Sequence, residues 1–178
     1  MKQLLMFRPH LDGIPSAGPL PAGYELRRFG PDDDIDALGE TLNWAFDREL
    51  DWSPERVRER LTDAQDVRAV YAAFWEGKAV ATTSSRVKPE KYPDTGIVHW
   101  VATHPDHLRK GLGTALMERV MRDFVENGDK EALLETDDQR LPAIKRYLAY
   151  GFLPLYENEG EDLRARWSAV FQAIGSRG

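Results

Sequence analysis

The 178-residue sequence contains no cysteine. That excludes disulfides, a thiol nucleophile and any cysteine-ligated metal or cluster, and it suits a reducing cytoplasm. No long apolar run is present to span a membrane. MKQLLMFRPH at the N-terminus has too short an apolar stretch for a secretory leader. A surplus of basic residues is missing as well. The formal net charge is −6, the wrong sign for a general nucleic-acid binder. Neither an internal repeat nor a low-complexity tract is found beyond the proline- and glycine-rich start. What is there is an ordinary globular balance, 42% hydrophobic and 30% charged, enough for one domain with a real core.

Residues 1–23 read as an irregular arm in which QLLMF has the composition of a short strand; residues 24–178 read as the domain proper. YELRRF alternates as a strand does. Helical spacing follows at Ile35, Leu38, Leu42 and Phe46, behind the acidic turn Asp32–Asp34. SPERVRERL has Ser53 as a helix cap and Pro54 at the first helical position. DVRAVYAAFWEGKAVATTSSRV reads as a hairpin turning at Glu76-Gly77-Lys78, and GIVHWVAT as an apolar strand. A helix is predicted from Leu112 to about Glu126, with Leu112, Leu116, Val120 and Phe124 as its buried stripe. EALLET is a strand, DDQRLPAIKRYLAYG an Asp-capped helix stopped by Gly151, and FLPLY a strand. Leu163, Trp167, Val170, Phe171 and Ile174 mark a final helix. Alternating strands and helices in the second half predict an α/β domain with a mixed, partly parallel sheet.

The stretch HPDHLRKGLGTALMERV places a proline turn, positive charge and two glycines directly before that long helix. A helix start has unpaired amides and a positive dipole end, and glycine lets another molecule approach the backbone, so this is anion-binding chemistry. A dinucleotide fingerprint would need a third glycine where Leu116 stands, and a P-loop would need Gly-Lys-Ser/Thr where Lys110 precedes Gly111. His99, His104 and His107 lie close in sequence, yet strand and turn geometry would scatter them, and no acidic or thiol ligand is spaced to complete a site; no metal is expected.

VATHPDHLRKGLGTAL, on a strand, a loop and a helix, followed by RLPAIKRYLAYGF with Ala143, Tyr147, Gly151 and Phe152 in register, resembles the two signatures of the GNAT superfamily of N-acetyltransferases. Within it the combination looks most like the mycothiol-synthase-like branch. Leu108 stands where the family has Gln or Arg, and Arg140 where it often has Asn. The resemblance implies acetyl-CoA as cosubstrate. Its diphosphate would lie on the amides of Leu108, Arg109, Lys110, Gly111, Leu112 and Gly113, with Thr114 also among the cofactor-binding residues. Its pantetheine arm would lie along Val101, Ala102 and Thr103 and near Arg140. Tyr147 would be the general acid toward the departing sulfur. His99 is the candidate base, with a water chain, Glu40 or Asp47 as rivals. Trp44 and Trp52 are candidate walls of an acceptor pocket. The expected reaction is direct acetyl transfer to a primary amine of a small molecule or peptide, the acidic surface favouring a cationic one. The alternative on the same fold is a non-catalytic acyl-CoA-binding module. A homodimer and a cytoplasmic location are in keeping with the family. Such folds usually end in a strand, whereas this chain ends in a helix. The missing strand is expected from QLLMF or from a partner chain.

Overall fold

The computed structural model describes residues 2–46, 51–156 and 162–175. Seven strands form one mixed sheet: β1 (Leu4–Arg8), β2 (Tyr24–Arg28), β3 (Val67–Trp75), β4 (Lys78–Arg86), β5 (Thr95–Thr103), β6 (Glu131–Thr136) and β7 (Leu153–Leu155). Their spatial order is β2-β3-β4-β5-β6-β1-β7, and β5–β6 is the parallel pair. The helices are α1 (Ile35–Ala45), α2 (Pro54–Val57, running into a wider turn over Arg58–Thr62), α3 (Leu112–Glu126), α4 (Leu141–Ala149) and α5 (Leu163–Gly175). Among the described residues, no helix is long and apolar enough to cross a membrane.

Local chemistry explains most boundaries. Asp34 caps α1 by accepting from the Ala37 amide at 3.1 Å, while Asp33 ties back to Arg27 and the Gly30 amide. Ser53 caps α2 with Pro54 at its start. The β3–β4 hairpin turns on Glu76 and Gly77, both at positive φ, the backbone that matches strand twist in a two-residue turn. The cap of α4 departs from the Asp expected. Arg140 holds the cap position without a side-chain bond to the helix, because Asp137 is drawn into a tight turn and bonds Arg140 instead.

Two apolar layers sandwich the sheet. Leu38 and Leu42 of α1, Trp52, and Val57 and Leu61 cover one face against Val70, Ala72, Phe74 and Ala102. On the other face α3, α4 and α5 bury Met117, Val120, Phe124, Ile144, Phe152 and Trp167 against β1, Val98 and Leu134. The predicted stripe of α3 is fully in the core. The arm's QLLMF is likewise structural. β1 runs antiparallel between β6 and β7, with Met6 opposite Leu134 on one side and Pro154 on the other. The chain itself thus fills the slot that the sequence left open to a partner. Arg8, at the end of β1, is buried and donates to the carbonyls of His10 (2.8 Å), Asp12 (2.6 Å) and Tyr150 (2.7 Å). Burial holds its pKa below the ordinary arginine value.

Candidate active site

The parallel pairing of β5 with β6 runs only from Thr95–Glu131 to Val98–Leu134. Beyond it β5 continues to Thr103 alongside β4, so the two central strands part, and among the described residues one edge of residues 99–103 has no strand partner. A bulge between the Ser84–His99 and Thr82–Ala102 pairs marks the parting, and there Trp100 takes φ +50. A positive φ at a bulky residue is strained. The bulge sets the rings of His99 and Trp100 side by side, 5.1 Å apart. Val101, Ala102 and Thr103 therefore lie on the open stretch where the pantetheine arm was expected.

At the end of this cleft the chain makes a short turn at Pro105–His107 and enters α3 through Arg109 (φ +59) and Gly111 (φ +78). The Leu108 amide is spent on the Pro105 carbonyl and the Thr114 amide on that of Gly111. Among the described residues, the amides from Arg109 to Gly113 have no such partner. Of the residues expected to bind the cofactor, Leu108 and Thr114 thus have amides already engaged. Lys110 is pinned to the Tyr24 hydroxyl at 2.8 Å, which also meets His107 at 2.7 Å, so the loop is anchored to β2. Arg146 of α4, which sequence reasoning missed, reaches over the same helix start: a Cβ on Gly113 would sit 2.1 Å from its Nη1. The residues fit a diphosphate through unpaired amides, a bare helix end and an overhanging guanidinium.

The cleft opens into a cavity of about 350 Å³, lined by His99, Trp100, Val101, Glu135, Arg140 and Tyr147 among others. Tyr147 is 7% exposed, and burial pushes its pKa up to about 12 against the opposing pull of Arg140 and Arg146, so it stays protonated. Tyr150 is committed elsewhere, its hydroxyl donating to the Thr114 carbonyl at 2.9 Å. Arg140 lines the cavity, bonded to Asp137 at 3.1 Å, with its guanidinium 4.4 Å over the Phe46 ring. His99 lines it too, but its ring is engaged. Arg86 Nη1 lies 3.2 Å from Nε2, and Ser84 Oγ lies 3.4 Å from Nδ1. A guanidinium only donates, so Nε2 is the acceptor and Nδ1 carries the proton. Burial, then Arg86, push the His99 pKa down to about 3.

The two tryptophans, Trp44 and Trp52, stand apart from this cavity. Trp52 is 2% exposed and packs behind Trp100, rings 4.6 Å apart. Trp44 is 48% exposed and meets His104 edge-on at 5.9 Å. Neither lines the cavity that holds Tyr147; both line a more open recess beside Asp36 and Glu40. Phe46 and Trp100 are the aromatic walls. Asp47 lies outside the described residues. His104 and His107 sit 6.0 Å apart at the loop, away from His99, and among the described residues no group of three or more His, Asp or Glu could hold a metal ion.

With this geometry in view, comparison with known proteins is direct. The sequence profile of the Acetyltransferase (GNAT) family matches residues 35–152. The chain belongs to the GNAT acetyltransferase family. This GNAT chain is 29% identical over 161 residues to the mycothiol acetyltransferase of Actinosynnema mirum, covering 85% of the chain and 52% of that protein. To the mycothiol acetyltransferase of Saccharomonospora viridis it is 28% identical over 151 residues, covering 75% and 47%. It thus spans about half the length of these curated relatives. Among solved structures, a GCN5-related N-acetyltransferase from Sphaerobacter thermophilus superposes with a TM-score of 0.64 at 21% identity, over 87% of this chain and 50% of that one. AAC(6')-Iy, in complex with the bisubstrate analogue CoA-S-monomethyl-acetylneamine, gives 0.61 at 14% identity, over 76% and 98%. Both show that this GNAT fold is shared.

Proposed function

We propose that this chain is an acetyl-CoA-dependent N-acetyltransferase that moves acetyl to a primary amine by direct transfer in a ternary complex. One observation carries the reading: the parted β5 and β6 join the unpaired amides of residues 109–113 to a cavity holding Tyr147. Those amides, with Arg146, hold the diphosphate, and the open edge of Val101–Thr103 pairs with the pantetheine arm and polarises the thioester carbonyl.

The base must take a proton from an ammonium before attack. His99 is poorly suited, because its Nε2 lone pair faces Arg86 and its pKa lies near 3. We assign the proton instead to Glu135. β6 leaves β5 after Leu134, so Glu135 is the first residue past the parting, across the cleft from His99. Its carboxylate has no hydrogen-bond or ion-pair partner among the described residues, and it lines the same cavity as Tyr147. Glu135 or a water bound to it accepts the amine proton. The amine nitrogen then attacks the thioester carbon, the C–N bond forms as the C–S bond breaks, and the Tyr147 hydroxyl donates its proton to the departing thiolate. No covalent intermediate on the protein is needed. The work belongs in the cytoplasm, where acetyl-CoA is available.

The test is thermal unfolding with acetyl-CoA, CoA or NADH, paired with turnover of Tyr147→Phe. A ligand at 100 times its Kd adds about 2.7 kcal/mol, on the order of 5–10 °C in Tm for a chain of this size. The CoA ligands should give that shift and NADH none. Tyr147→Phe should keep the shift and lose about 10²–10⁴ in kcat. A shift without acetylation of any amine in a broad panel, and no effect of Tyr147→Phe, would favour a binding module over an enzyme.

A further inference from the structure

The charges around the cavity are not evenly spent. On one wall stand Arg60, Arg86 and Lys88, with Glu59 and Asp66. Asp66 is consumed by Arg86, at 2.7 Å from Nε and 2.5 Å from Nη2. Glu59 is only 4.0 Å from Arg60, both side chains well exposed, a pairing worth little. Lys88 has no ion-pair partner among the described residues. On the opposite wall, at the end of β6, Asp137 is held by Arg140, and Glu135 makes no contact ion pair among the described residues, with Lys91 acting on it through space. The groups outside a tight pair are therefore Arg60, Lys88 and Glu59 on one side, a net excess of one positive charge, and Glu135 on the other. His99 lies against the first wall and feels Arg86, Lys88 and Arg60 through space, with Asp66 acting in the opposite sense.

A purely cationic amine would satisfy Glu135 and leave the opposite wall uncompensated, repelled by the cations it faces. The excess positive charge on the Arg60 and Lys88 side concentrates an anionic group there whatever the net charge of the whole protein. A cavity of about 350 Å³ sits at the small end of ligand sites, suited to a compact molecule rather than a protein tail. We infer that the acceptor is a small amine that also carries a carboxylate, as an α-amino acid does, with its amine toward Glu135 and its carboxylate toward Lys88 and Arg60. This rests on the acetyltransferase reading above, and it reverses the cationic acceptor that net charge alone suggested.

The experiment compares amines with and without the carboxylate: alanine against ethylamine, phenylalanine against phenethylamine, ornithine against putrescine. Each is assayed for acetylation by the wild-type chain and by a Lys88→Gln/Arg60→Gln variant. The amine's own basicity is the same in both assays, so the change in preference between proteins isolates the charged wall. In the wild type the carboxylate member of each pair should have the higher kcat/KM. In the variant that preference should fall by about tenfold or more, mainly through KM. Equal or better use of the decarboxylated amines by the wild type, or a preference the variant leaves unchanged, overturns the inference. If acetyl-CoA raises Tm but no amine of either kind is acetylated, the acceptor assignment fails while the CoA site stands. If acetyl-CoA gives no shift, the acetyltransferase reading fails and takes this one with it.

Discussion

At the scale of single residues, His99 and Tyr147 show how burial sorts chemistry. Both line the cavity, and burial disfavours the charged form of each: it keeps the phenol protonated and the imidazole neutral. For His99 this has a consequence for stability. Unfolded, it binds a proton near pH 6.5; folded, only near pH 3. Between those values the unfolded chain holds more protons, so acidification through that window favours unfolding, and above it the residue has no effect. The Tm of the parent protein should therefore fall more steeply from pH 7 to pH 4 than that of His99→Asn. Parallel curves would mean that the imidazole is solvated after all. The sequence could single out Tyr147, which lines the cavity, because its spacing to Gly151 and Phe152 is a local pattern. Glu135 was not, because its place depends on the register of β5 on β6, a pairing of residues 36 apart in sequence. EALLET offered a hint in Glu135, the exposed position that follows three buried apolar residues. Arg146 gave no hint, since only the fold brings it over Gly113.

At the scale of elements, the periods of the sequence marked nearly every helix and strand, since apolar spacing and caps are local. What they could not show is how closely elements approach. α1 packs so tightly on the segment before α2 that a Cβ on Gly39 would lie 2.4 Å from the Trp52 carbonyl oxygen. That approach is also why Trp52 is buried behind Trp100 instead of lining the cavity. The obstacle is backbone, which cannot swing aside. Gly39→Ala should gain about 0.5–1 kcal/mol from helix propensity but lose about 1–3 kcal/mol to overpacking. The clash wins, and Tm should drop by roughly 2–8 °C. Gly113→Ala is the contrast. Its new Cβ meets the tip of the Arg146 side chain, which can move. Its Tm should hold while acetyl-CoA affinity falls, because the guanidinium is pushed off the helix start. Equal Tm losses in the two variants would show that Arg146 is locked in place and that the two close approaches are alike.

At the scale of the whole molecule, the N-terminal segment decides whether the sheet is complete. An arm rich in proline and glycine promised little order, and five apolar-leaning residues were a weak signal beside it. Their value comes from partners far along the chain: Leu4, Met6 and Arg8 lie across from Thr136, Leu134 and Ala132, and Met6 also lies across from Pro154. Arg8 then fixes the end of the helix that carries Tyr147 by binding the Tyr150 carbonyl. Without β1, β7 would have no neighbour in the sheet, and α5 would lose part of the surface it covers. Met6 is fully buried in that layer. Met6→Ala should therefore cost about 2–5 kcal/mol, the range of a core truncation, although it lies six residues from the start of the sequence. In urea the midpoint should move down with the slope unchanged, because the same surface is exposed on unfolding. A fraying arm would leave the midpoint where it was. A lowered slope would mean that β1 and β7 detach before the rest, making the sheet two cooperative units rather than one.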